Sequence, residues 1–187
     1  MIARVLAAAA VAALVAGSAE AAEFAYSPTN GPGCVKIGSK REFNSWRCSG
    51  PAGYAARFFD LGNMVAVELG PSGREKTLVE DSLMWQGAEK SFGDRVEWRL
   101  LGGRPYAAIL RIRRQDFDEK TSESRDVEEM LVVKVSPQGA CRMGVVDTND
   151  RNANAAARDL ADSSAAGFQC GTDQPRAIGA GSRSPPG

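Results

Sequence analysis

Val96-Glu97-Trp98-Arg99-Leu100-Leu101, the turn Gly102-Gly103-Arg104-Pro105, and Tyr106-Ala107-Ala108-Ile109-Leu110-Arg111-Ile112-Arg113 decide how the chain folds. Side chains alternate faces along an extended backbone. Val96, Trp98 and Leu100 therefore share one face of a first strand, and Tyr106, Ala108, Leu110 and Ile112 share one side of a second. Beyond the polar stretch Asp116 to Asp126, Met130-Leu131-Val132-Val133-Lys134-Val135 is rich in β-branched residues that suit a pleated, half-buried surface. The three segments read as an antiparallel meander with one dry side and one wet side.

Working outward, turn signals divide the rest into short extended pieces. Cys34 to Ile37 and Phe43 to Cys48 read as a hairpin. Tyr54 to Phe59 and Met64 to Leu69 read as another, with Val65, Val67 and Leu69 on one face. Glu75 to Asp94 shows no helical period and is read as irregular, with Leu83, Met84 and Trp85 facing the core from a short strand and Gly87 to Asp94 connecting to the meander. Ser136-Pro137-Gln138-Gly139 turns into a last strand, Cys141 to Asp147. Asn152 to Asp162 then carries strong helix formers behind Asn caps, with a thin apolar stripe of Ala153, Ala156, Ala157, Leu160 and Ala161. The expected fold class is mainly β (α+β): an antiparallel meander of seven to nine strands forming a curled sheet or small barrel, with one C-terminal helix, in preference to a two-sheet sandwich.

The N-terminus reads as an export signal. Arg4 precedes the apolar run Val5 to Ala16, and Ala19-Glu20-Ala21 places small residues at a cleavage site. That run is shorter than the about 20 residues needed to cross a hydrocarbon core. Residues 1–21 are thus read as a signal peptide, 22–33 as a flexible lead-in, and 34–170 as one disulfide-bonded β-domain with its helix. Residues 171–187, mostly Gly, Pro, Ser and Arg, are read as a disordered tail. The mature chain of 166 residues (187 − 21) has the length of one domain. The expected location is periplasmic or secreted, with no membrane span in the mature chain.

Lys plus Arg and Asp plus Glu number 23 each, so the net charge is zero. A neutral chain gives no global reason to expect nucleic acid or an anionic membrane as partner. The four cysteines form an even set in a chain read as exported, where disulfides are the default. Of three possible connectivities, Cys34–Cys48 with Cys141–Cys170 is preferred, since each pair brackets one compact segment. No pair has CxxC spacing and the chain holds no histidine, so neither a metal nor another cofactor is expected. The lack of histidine also removes Ser-His-Asp and Cys-His catalysis.

Four constellations carry possible chemistry. Arg111 and Arg113 lie opposite Leu110 and Ile112, with Arg99 and Lys134 on the outer sides of the flanking strands. If these strands are neighbours, Arg99, Arg111, Arg113 and Lys134 line one sheet face, where arginine forks would hold an anionic ligand or an acidic loop of a partner. The plainer reading is a solvated face whose cations pair with Glu128 and Glu129. Asp147 to Asn152 only faintly resembles a calcium loop, having Arg151 where an acid belongs, and is read as a turn leading into the helix. The acid-rich stretch Asp116 to Asp126 is read as a solvated hairpin tip rather than a glycosidase pair. Trp46, Trp85, Trp98, Tyr54, Tyr106, Phe58 and Phe59 are read as core rather than as a sugar- or peptide-binding groove.

Two resemblances follow from these residues. Trp46-Arg47-Cys48-Ser49-Gly50-Pro51-Ala52-Gly53-Tyr54, Val96 to Leu100, the Cys141-to-Asp147 strand with Asn152-Ala153-Asn154, and Phe168-Gln169-Cys170-Gly171 resemble a group of uncharacterised bacterial exported proteins. That likeness spans most of the mature chain and implies no activity. Ser49, Gly50 and Tyr54 resemble, with one residue too many between them, the Ser-Gly-x-x-Tyr loop of periplasmic inhibitors of c-type lysozyme, which are small disulfide-bearing β-barrels. The expected function is a non-enzymatic binding protein, inhibitor-like in one version, whose partner is an envelope protein or is peptidoglycan-associated. The alternatives are a carboxylate-dependent envelope hydrolase and a structural envelope protein.

Overall fold

The computed structural model describes residues 23–40, 43–61, 65–81, 88–118 and 120–179. The expected signal peptide, Leu83 to Trp85, and the end of the tail lie outside them. In chain order the elements are β1 (Glu23–Pro28), β2 (Cys34–Lys40), β3 (Phe43–Ser49), β4 (Tyr54–Asp60), β5 (Val65–Pro71) and β6 (Lys76–Asp81). Then come α1 (Ala88–Ser91), β7 (Phe92–Leu101), β8 (Arg104–Asp118), β9 (Glu123–Ser136), β10 (Gly139–Asp147), α2 (Ala153–Ser164) and β11 (Arg176–Ile178).

The protein is mainly β, as its sequence pattern indicates, with the meander and the C-terminal helix in place. The strands divide into two sheets. One has the order β1-β7-β8-β9-β10-β11 and the other β2-β3-β4-β5-β6. All described pairings are antiparallel except β10 with β11. The sheets do not close into one barrel; they share a core. Phe58, Val67 and Leu69 of the five-stranded sheet meet Trp98, Leu110, Leu131 and Val133 of the six-stranded one. Trp98 is fully buried and donates its indole N–H to Ser27 Oγ at 2.8 Å, so its one polar atom is satisfied. Gly50 lies against that indole: a Cβ there would stand 2.8 Å from Trp98 Cζ2, which only glycine avoids.

The other face of the six-stranded sheet is dry as well. Ala107, Ile109, Met130, Val132, Met143 and Val146 pack against Ala153, Ala157, Leu160 and Ala161 of α2. The small residues of that stripe let the helix lie close to the strands, and burial of Leu160 alone is worth about 2 kcal/mol. The chain thus forms three layers: sheet, sheet and helix. Both expected disulfides are present, Cys34–Cys48 and Cys141–Cys170. Closing loops of 14 and 29 residues, they restrict the unfolded chain by about 3 and 3.6 kcal/mol in the chain-entropy picture.

Several local expectations are corrected. The lead-in holds β1, paired with β7 from Glu23↔Leu100 to Pro28↔Arg95. Its period-2 pattern, with Ala25 and Ser27 inward and Phe24 and Tyr26 outward, is outweighed in sequence by the turn residues that follow. The segment read as irregular holds β6, whose Lys-Thr-Leu-Val-Glu-Asp run does not alternate but finds its partner in β5. The acid-rich stretch is paired arm more than tip: Gln115 to Asp118 pair with Asp126 to Glu123. Within the tail, Arg176–Ile178 pairs in parallel with Gly144 to Val146, held near by the Cys141–Cys170 bridge.

Tyr106 lies on the helix side, opposite Ala108 and Leu110. Arg99 pairs with Ala107 but Leu100 with Pro105, so a β-bulge at Tyr106 reverses its direction. Phe59 is also outside the core, under the Arg57 guanidinium at 4.3 Å. The Asp147-to-Asn152 turn folds its oxygens onto its own backbone, Asp147 Oδ1 accepting from Asn149 N and Asp150 Oδ1 from Asn152 N. Among the described residues no helix is long and apolar enough to cross a membrane, and no cluster of three His, Cys, Asp or Glu side chains could hold a metal.

Candidate functional site

The helix-bearing face of the six-stranded sheet carries the charged residues that alternation places opposite the core. Where α2 begins, the helix leaves the sheet uncovered, and a cleft of about 280 Å³ opens between its first turns and β1, β7 and β8. Tyr26, Arg95, Glu97, Arg111, Arg113 and Arg158 line its walls. Gly93 also lines it, and a Cβ at that position would stand 2.8 Å from Arg111 Cβ, so the absence of a side chain gives Arg111 its place.

A chain of charges runs from this cleft under the helix. Arg158 grips Glu97 with both arms of its fork, Nε to Oε1 and Nη2 to Oε2, each at 2.8 Å. Glu97 also accepts from Arg99 Nη1 at 3.1 Å and from the Tyr26 hydroxyl at 3.2 Å. Arg99 turns its other nitrogens to Asp162, with Nε at 2.9 Å and Nη2 at 2.7 Å, and the Tyr106 hydroxyl donates to the same carboxylate at 2.5 Å. On the other wall, Arg111 and Arg113 both donate to Glu128. Arg95 lies over the Tyr26 ring at 4.4 Å, a cation–π contact.

These contacts set the titration behaviour. Burial pushes the Glu97 carboxyl up, but the Arg158 fork and the Tyr26 and Arg99 contacts outweigh it and hold the group below its ordinary range. Burial likewise opposes, and Arg99 and Tyr106 overcome it, at Asp162; Arg113 and Arg111 do the same at Glu128. Burial, then the Asp162 contact, pushes the Tyr106 phenol up to about 12. A carboxyl whose folded pKa is depressed binds fewer protons than in the unfolded chain, so its stabilisation is complete above the unfolded value, near about pH 4–4.5, and is lost as pH falls through the folded one. Tm is therefore expected to be flat between about pH 5 and the unfolded phenol range near about pH 10, and to fall steadily on the acid side. It should fall again on the alkaline side, as the raised Tyr106 phenol loses its proton. In Glu97→Gln the acid limb of the Tm-against-pH curve should be shallower; an unchanged limb contradicts the assignment.

The predicted cations divide between the two ends of the helix. Arg111 and Arg113 line the cleft and pair with Glu128, as their plainer reading has it. Arg99 is 6 % exposed beneath α2, because the face read as wet is covered there. Lys134 lies at the far end of the helix, its Nζ donating to the Phe168 carbonyl at 2.6 Å. Glu129 pairs with Arg114 instead, at 3.2 Å. Sequence reasoning missed Tyr26, Arg95 and Arg158. Tyr26 stood in the segment read as a lead-in. Arg158 had one available signal, its position beside the Ala157–Leu160 stripe, which places it at the edge of the helix's buried face. Comparison of the chain with protein-family models, with curated proteins and with solved structures finds no match.

Proposed function

We propose that the protein is an exported, periplasmic or secreted, non-enzymatic binding module. Its arginine-lined cleft takes an acidic segment of an envelope protein or of a peptidoglycan-associated partner. Inhibition of an envelope enzyme is one form of that role.

The observation that carries the reading is the charge count of the cleft. Four guanidinium groups, of Arg95, Arg111, Arg113 and Arg158, face two lining carboxylates, Asp94 and Glu97. Glu128, bridging Arg111 and Arg113, brings a third, which leaves one cation in excess (4 − 3). Planar arginine forks suit carboxylates, and the Arg158–Glu97 pair uses that geometry within the fold itself. The depressed carboxyls of Glu97 and Glu128 favour binding over hydrolysis, since a carboxylate-dependent hydrolase needs one acid held protonated near neutral pH.

The test is retention of periplasmic extract and peptidoglycan on immobilised protein with its disulfides intact. It should be run beside an Arg95→Ala, Arg111→Gln, Arg113→Gln variant whose Tm is checked. The expected result is a partner retained by the wild type, released by salt, and lost by the folded variant. Equal retention by both contradicts the cleft as the site.

A further inference from the structure

At the far end of α2 lies a second hollow, of about 470 Å³, within the range of small-ligand pockets. Leu100, Leu101, Tyr106, Val135, Ala165 and Ala166 give it mostly apolar walls. Two charged groups reach it, Asp162 and Lys134. Asp162 accepts two hydrogen bonds from the Arg99 fork and one from the Tyr106 hydroxyl, and its charge is matched by that guanidinium. Lys134 is different. It is half-buried, and among the described residues its only acceptor is the Phe168 carbonyl oxygen, with no carboxylate paired to it. An ammonium carries three N–H donors, so two remain for a ligand. Leu101, 61 % exposed at the rim, is apolar surface without a cover.

We infer that this hollow binds a small monocarboxylate with an apolar body. The aliphatic or aromatic part lies on Leu101, Tyr106 and the alanines, above the buried strand edge at Leu100 and Val135, and the carboxylate meets the Lys134 ammonium. Charge complementarity selects the head and the apolar walls select the tail. The hollow shares no lining residue with the arginine-lined cleft, so either can fail alone.

Calorimetric titration with decanoate tests it, beside decan-1-ol, which has the tail without the charge, and acetate, which has the charge without the tail. Saturable one-to-one decanoate binding is expected, with decan-1-ol at least tenfold weaker and acetate silent. Lys134→Met should weaken decanoate about ten- to hundredfold, the usual worth of a charge-assisted hydrogen bond, while Lys134→Arg keeps most of the affinity. Ala166→Trp, which fills the hollow from an exposed position and leaves Lys134 in place, should abolish binding and decides the matter if Lys134→Met does not fold. The Arg111→Gln, Arg113→Gln pair should bind decanoate as the wild type does. No saturable binding, equal binding of decan-1-ol, or full binding by Ala166→Trp overturns the inference.

Discussion

Trp98→Ala is expected to lower the unfolding free energy by about 3–5 kcal/mol, the range for deleting a large buried aromatic, or roughly 6–20 °C in Tm for a domain of this size. The indole is fully buried between the two sheets, meets Tyr54 edge-on at 6.3 Å between ring centres, and holds β1 through Ser27. Its removal opens a cavity that Phe58, Leu110 and Val133 cannot fill without moving strands, and it leaves the buried Ser27 hydroxyl without its partner. Trp98→Phe should recover much of the packing but not the hydrogen bond, so an intermediate loss is expected. Denaturant unfolding of the three proteins measures both terms. A loss below about 1 kcal/mol in Trp98→Ala contradicts the shared inter-sheet core.

The second large effect belongs to Glu97. Two guanidinium groups depend on this carboxylate, and one of them, Arg99, has a side chain only 7 % exposed. Glu97→Ala leaves Arg99 with Asp162 alone in a region water does not reach freely, and the expected cost is about 3 kcal/mol or more. Arg158→Ala removes the other end of the pair, where the side chain is 43 % exposed and water can replace it. That change should cost about 1 kcal/mol or less. The contrast is the informative quantity: similar losses for the two variants would mean that burial does not govern the network. A double-mutant cycle across Glu97 and Arg158 isolates the pair itself.

Those two residues also mark where the sequence was legible. Period-2 alternation gave the dry face of the meander correctly at Val96, Trp98, Leu100, Leu110 and Ile112, because each of these sits in a regular stretch of ladder. It failed at Tyr106, since a bulge is a property of two strands in register and leaves no mark in one. The helix and its alanine stripe were readable from local propensity. Its docking place was not, because nothing in the chain says that residues 153–164 cover the meander's outer face. That single long-range contact turns Arg99 from a surface cation into a buried one and splits the predicted basic patch in two. Arg111 and Arg113 remain at the open end, and Lys134 goes to the other. Strands β1 and β11 were hidden for a related reason: each is short or flanked by turn residues and is stabilised by a neighbour far along the chain. Strand β6 pairs with the adjacent β5 and was hidden because its run does not alternate.

The most direct measurement of the central claim is calorimetric titration of the protein with a short oligoglutamate at low and at physiological salt, beside the Arg95→Ala, Arg111→Gln, Arg113→Gln variant. The cleft predicts saturable binding that weakens as salt shortens the electrostatic range to about 8 Å, with at least a tenfold loss in the folded variant. Binding that is absent at low salt, or that the folded variant retains unchanged, would contradict it.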